Sequence, residues 1–232
     1  ALKNAHAQTI AGFLLSRRTL LLSQNTEERY FDIAPDVRVL AHCSWQTNRT
    51  AHPSLILTHG LEGSSESSYM LGTAEKALAA DFNVVRLNVR NCGGTAHLTE
   101  TLYHAGLTDD LRAIITELSE ADGCPEIYLA GFSLGGNVSL KLAGEYGAHP
   151  PAALKGLVAV SPSLHLSSCA DAIEMPSNFL YQQSFIVSLK RSIRTKALLY
   201  PQRYDLAPLR HIKTIRQFDD IYVAPHCGFR DA

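Results

Sequence analysis

An α/β fold with a mostly parallel sheet is what this 232-residue chain predicts. Three observations carry that expectation. Short, largely apolar runs such as Ser54–Thr58 and Asn83–Leu87 read as strands covered on both faces. Helical patterns of ten residues or more alternate with them, at 67–80 and 109–120. The pentapeptide Gly131-Phe132-Ser133-Leu134-Gly135 stands where a strand must turn abruptly into a helix.

In chain order, residues 29–33 and 37–45 read as antiparallel strands joined at Pro35-Asp36. The strand Ser54–Thr58 runs into His59-Gly60, the helix 67–80 follows, and Asn83–Leu87 gives way to a glycine-rich loop at 90–94. The helix 109–120 carries Leu107, Leu111, Ile114, Ile115 and Leu118 on one stripe, with Thr108 placed to cap it and Asp109 and Asp110 suited to the dipole of its first turn. A strand at 126–130, a helix at 137–146 and a strand at 157–160 complete the alternation, and Gly136, Ser139 and Ala143 would let that helix lie close on the sheet. After Pro162 the pattern changes: residues 168–218 show helical periodicity and basic-aromatic character, with no strand. The expected organisation is a core at 1–162, with an N-terminal arm at 1–28, then a helical cap region at 163–232 inserted after the sixth strand.

Composition narrows the function classes. A formal charge of −1 gives no basic surface for nucleic acid. The five cysteines (Cys43, Cys92, Cys124, Cys169 and Cys227) are scattered, odd in number and without a C-x-x-C pair, which argues against a disulfide framework or zinc site and fits a reducing cytoplasm. No apolar run reaches the about 20 residues of a membrane span. Residues 10–22 are apolar but split by Arg17-Arg18, so a packed amphipathic arm is the simpler reading and peripheral membrane contact the alternative. The chain begins with alanine and nothing there reads as a signal peptide, as in a trimmed or partial sequence.

The chemistry lies at Gly131-Phe132-Ser133-Leu134-Gly135. In a G-x-S-x-G elbow the serine occupies a strained turn that exposes its hydroxyl, and Gly131 and Gly135 leave room where a Cβ would collide with backbone. Ser133 is therefore the candidate nucleophile of an α/β-hydrolase fold. In that architecture the oxyanion donors are the N–H after the nucleophile and one from the loop after the third strand, here Leu134 and Leu61, with His59 and Gly60 supporting the loop. The base should be a histidine after a last strand. His149, His165, His211 and His226 follow Ser133, and none occupies such a place; His226 comes nearest. Asp171, Asp205, Asp219 and Asp220 read as caps, salt-bridge partners or solvated groups. The acid and base are thus expected to be absent, the chain stopping before the last strands of the sheet.

The stretches His59-Gly-Leu-Glu-Gly-Ser-Ser-Glu-Ser-Ser-Tyr69, Val85 to Gly94, Leu102 to Asp110 and Gly131 to Asn137 resemble the YheT-like branch of the α/β-hydrolases. The early Asn4 to Ile10 and the late Phe218-Asp-Asp-Ile-Tyr222 with Pro225 to Phe229 match its pattern too, so the likeness covers essentially the whole chain. It implies a carboxylic-ester hydrolase, a carboxylesterase or acylglycerol lipase, acting through an acyl-serine without cofactor or metal on a small-molecule ester or lipid, with no obligate protein partner. It also implies a catalytic Asp and His beyond Arg230-Asp231-Ala232. An acyltransferase sharing the acyl-enzyme, or a hydrolase-fold protein that binds a ligand without turning it over, are the alternatives.

Overall fold

The computed structural model describes residues 3–15, 19–24 and 26–231, so Arg17-Arg18 of the expected arm lie outside the described residues. Six strands form one sheet: β1 (Thr26–Ala34), β2 (Val37–Ser44), β3 (Ser54–Thr58), β4 (Asn83–Leu87), β5 (Ile127–Phe132) and β6 (Leu154–Val160). Their order is β1-β2-β4-β3-β5-β6, antiparallel at β1/β2 and β2/β4 and parallel elsewhere. β1 begins inside the stretch expected to be arm, and Asp36 turns it into β2 at φ 59°.

Strand alternation divides the core into two. Ile56 lies in register with Val85 and Leu129, and all three face a core shared with α3 (Asp109–Thr116) and α4 (Leu134–Tyr146). The neighbours Leu57, Val84 and Ala130 point the other way, onto α2 (Ser68–Ala79) through Met70, Ala74 and Leu78. Burying one such Leu, Ile or Met contributes about 1.5–3 kcal/mol, so helices on both faces fix this sheet more than strand propensity does. The N-terminal α1 (Ala5–Leu14) rests on α2, with the Ser68 hydroxyl donating to the Gly12 carbonyl at 3.2 Å.

Several expected boundaries and one cap differ from the structure. α4 starts at Leu134, not residue 137, because the elbow itself launches the helix. β6 starts at Leu154, not residue 157; Lys155 and Gly156 interrupt its apolar run, and the parallel ladder with β5 skips Lys155 and resumes at Gly156. Thr108 does not cap α3: its hydroxyl donates to Glu145 Oε2 at 2.6 Å on α4, tying the two helices together. Ser139 is fully buried within α4, whereas Ala143 stays half-exposed.

Beyond β6 the described residues contain helices and turns but no strand: α5 (Leu166–Glu174), α6 (Phe179–Leu199), α7 (Ile215–Phe218) and α8 (Ala224–Cys227). α6 buries Gln182, Ile186, Leu189, Ile193 and Lys196 at steps of three and four, one face of a helix. That face joins Leu102, Tyr204, Phe218 and Tyr222 in a separate core. The segment is fastened over the loop leaving β4. Lys196 donates to the carbonyls of Ala96, at 3.0 Å, and Thr99, and Tyr204 donates to that of Glu100.

Candidate active site

The turn from β5 into α4 is strained at one residue. Ser133 has φ 51° and ψ −115°, outside the regions open to an ordinary side chain. A Cβ on Gly131 would stand 2.3 Å from the Gly135 carbonyl oxygen; one on Gly135 would stand 2.5 Å from those of Thr58 and His59. Only glycine fits at either position. The serine is pinned from both sides, its N–H donating to Val160 O at 2.9 Å and its carbonyl accepting from Asn137 N–H at 3.0 Å. The Asn137 amide donates in turn to Ala105 O at 3.0 Å.

The loop after β3 comes up beside this elbow. Gly63 N–H closes a turn on Gly60 O at 3.0 Å, with Glu62 in the left-handed region at φ 54°. His59, fully buried, donates from Nδ1 to Gly60 O at 2.7 Å and accepts at Nε2 from Val89 N–H at 3.1 Å, which fixes one neutral tautomer. Burial pushes its pKa down to about 4. Both ring nitrogens are thereby committed to main-chain partners. Tyr69 and Tyr103 brace the turn, their hydroxyls accepting from Gly60 N–H and Glu62 N–H, each at 3.1 Å. The two N–H groups between these braces and at the head of α4, those of Leu61 and Leu134, meet no acceptor among the described residues.

Ser133, Leu61 and Leu134 line a cavity of about 720 Å³, to which the helical segment contributes apolar side chains that include Phe185, Leu189 and Phe218. Arg90 grips Asp110, Nε at 3.0 Å from both carboxylate oxygens and Nη2 at 2.5 Å from one, joining the glycine-rich loop to α3. Burial drives the Asp110 carboxyl upward while the Arg90 fork pulls it back.

Histidines and carboxylates sort differently from their sequence positions. No histidine among the described residues hydrogen-bonds the Ser133 hydroxyl. His149 is exposed, His165 caps α5 by accepting from Ser168 N–H at 3.2 Å, and His211 accepts from Arg210 Nε at 2.8 Å. His226 stacks on Tyr204 at 4.6 Å with both ring nitrogens on main-chain carbonyls, of Tyr222 at 2.7 Å and Arg203 at 3.0 Å. His104 does line the cavity; burial, then Arg90 and Lys141, hold its pKa low, and Nδ1 accepts from Gly106 N–H at 3.2 Å. Asp171 pairs with Arg216 at 2.7 Å and Asp205 accepts from Ala207 N–H at 2.9 Å, as salt-bridge and turn residues. Asp219, read with these as a cap, salt-bridge partner or solvated group, is partly buried. It lines the cavity, and burial, reinforced by Asp220, raises its pKa to about 7.

Residues 53–190 match a family model described as the alpha/beta hydrolase fold. The chain belongs to that family. It is 32% identical over 182 residues to the "Putative esterase YheT" of Escherichia coli, covering 78% of this chain and 53% of that one. It is 28% identical over 217 residues to the monoacylglycerol lipase of Saccharomyces cerevisiae, covering 90% and 46%. Against the phospholipase ABHD3 of Mus musculus the identity is 25% over 188 residues, covering 81% and 45%. The chain thus spans about half the length of the curated relatives it matches. Among solved structures, the Pyrococcus furiosus esterase Pf2001 shares the fold with a TM-score of 0.56 at 19% identity, covering 70% of this chain and 64% of that one.

All five cysteines are unpaired. Among the described residues no group of three or more His, Cys, Asp and Glu side chains could hold a metal, and no helix is long and apolar enough to cross a membrane. The sequence pattern assigns no role to Tyr103, Glu62 or His104, and gives Asp219 only that of a cap, salt-bridge partner or solvated group. All four lie in stretches that carry the family likeness, yet the local pattern does not mark their roles: Glu62, for one, meets Tyr103 across 41 residues.

Proposed function

We propose that this chain carries the nucleophile and oxyanion site of a serine carboxylic-ester hydrolase acting on esters with an apolar acyl chain. The observation that carries the reading is the strained backbone of Ser133, held by Gly131 and Gly135 in the lining of an apolar cavity. Strain of this kind persists where the surrounding structure imposes it, and it sets a hydroxyl where substrate can reach it. Residues 1–162 serve as the core and 163–232 as a cap over the acyl chain, and the relatives named as lipase and phospholipase support a lipid ester. The unpaired cysteines support a reducing compartment such as the cytoplasm.

Ser133 Oγ attacks the ester carbonyl carbon, passing its proton to a base. The resulting oxyanion is received by the N–H groups of Leu61 and Leu134. Collapse breaks the bond to the alcohol, which leaves with that proton, and water then releases the acid by the same steps in reverse order of partners. The acid and base are assigned outside residues 1–232, where the resemblance puts them. His59 is excluded as the base by its buried, doubly bonded neutral ring.

Hydrolysis of p-nitrophenyl esters of increasing acyl length by the full protein tests this. Ser133→Ala should lower kcat at least about a thousandfold. In the wild type, kcat/KM should rise up to roughly fourfold per added methylene until the cavity is filled, the transfer of each CH₂ being worth about 0.8 kcal/mol. Turnover retained by Ser133→Ala would refute the assignment.

A further inference from the structure

The Glu62 carboxylate joins three separate elements. Oε1 accepts from the Tyr103 hydroxyl at 2.9 Å; Oε2 accepts from Ser188 at 2.9 Å and Ser192 at 2.7 Å, both on α6. Its own N–H donates back to Tyr103. Three hydroxyl donors on one carboxylate make a satisfied polar network, and such a network fixes geometry more firmly than its separate bonds. Glu62 also adopts a positive φ, which an ordinary side chain holds only when its surroundings compel it. The residue before it is Leu61, whose N–H is the proposed oxyanion donor. The turn is anchored at Gly60 by Tyr69 on α2 and at Glu62 by Tyr103 and α6. The Leu61 peptide hangs between the two anchors.

We propose that Glu62 is a positioning residue that locks the oxyanion loop to α6, so that the Leu61 N–H is set for the oxyanion only while the helical segment is seated. This rests on the reading of Ser133 and Leu61 given above. Seating the helix over the acyl chain and completing the oxyanion site become one event, because the same carboxylate belongs to both. Ser188 and Ser192 carry the message from the helix; Glu62 delivers it through one peptide bond. A role of this kind acts on the charged intermediate and leaves ground-state binding of the acyl chain nearly untouched.

The test compares wild type, Glu62→Ala, Glu62→Gln and the Ser188→Ala/Ser192→Ala pair in the full protein, reading kcat and KM for a p-nitrophenyl ester and affinity for a trifluoromethyl ketone. The ketone becomes an oxyanion when the serine adds to it. Removing one oxyanion donor outright costs about 10²–10³ in kcat, so displacing one should cost about tenfold or more. Glu62→Ala should lower kcat and ketone affinity by the same factor with KM nearly constant. The serine pair should do likewise, the combined variant should be little worse than either, and Glu62→Gln, which keeps one acceptor oxygen for the two serines while its NH2 replaces the other, should lose clearly less than Glu62→Ala. Glu62→Ala matching wild type in kcat and ketone affinity would overturn the proposal, as would a serine pair without effect. A wild type that neither hydrolyses the ester nor binds the ketone would overturn the reading of Ser133, and this proposal with it.

Discussion

The carbonyl oxygen of His59 lies 2.5 Å from the point where a Cβ on Gly135 would stand. The end of β3 and the first turn of α4 therefore touch backbone to backbone, which brings Leu61 and Leu134 to the same cavity. Gly135→Ala must push them apart. Overpacking of this kind costs about 3 kcal/mol where neither side can yield, and both sides here are main chain. Urea denaturation should show that loss, and an unshifted midpoint would mean that the elbow is looser than described.

Ser133 should behave in the opposite sense. At φ 51° and ψ −115° a Cβ is strained, and glycine relieves the strain at some entropic cost. Ser133→Gly should be more stable than Ser133→Ala by about 1 kcal/mol, the hydroxyl being absent from both. Equal stability in chemical denaturation would show that the strain has no energetic weight.

His59 predicts a pH dependence. The unfolded chain takes up a proton near 6.5, whereas the folded ring resists until about 4. Stability is unaffected above 6.5, falls as pH drops from 6.5 towards 4, and levels off below; the full loss is about 3 kcal/mol at 1.36 kcal/mol per unit. Asp219 opposes this trend. Its folded pKa is raised to about 7, so its contribution is complete below the ordinary carboxylate value and disappears as pH rises through 7. The difference between wild type and His59→Gln isolates the first effect, since glutamine can donate and accept in the same place. A difference that does not vary between pH 7 and 4 would contradict it.

Arg90 and Asp110 form an ion pair that is almost entirely buried. Breaking such a pair leaves one charge without its partner, at a cost of about 3–5 kcal/mol. Arg90→Leu and Asp110→Leu should each unfold the protein at much lower urea, and the double variant should recover much of the loss. If the single variants were additive, the pair would not be acting as a unit.

The parts of this fold that were legible in the sequence are those set by neighbours along the chain. Gly131, Ser133 and Gly135 announce the elbow because the turn itself excludes a Cβ, and the short apolar runs announce β3, β4 and β5. Ends were read less well. Lys155 and Gly156 hide the first turn of the ladder in β6, and Gly135-Gly136 hide the start of α4, since register and the elbow override propensity there. Thr108 looks like a cap locally but finds Glu145, 37 residues away. Glu62 meets Ser188 and Ser192 across 126 and 130 residues, and the burial of Asp219 depends on the helices packed around the cavity. No local pattern encodes such meetings.

The proposed chemistry requires that Ser133 be an activated nucleophile. Intact mass spectrometry of the full protein after incubation with a fluorophosphonate tests it most directly, because Oγ must displace fluoride and retain the phosphonyl group. One added group on the wild type and none on Ser133→Ala is the predicted result. No adduct on the wild type, or one that survives in Ser133→Ala, would contradict the account.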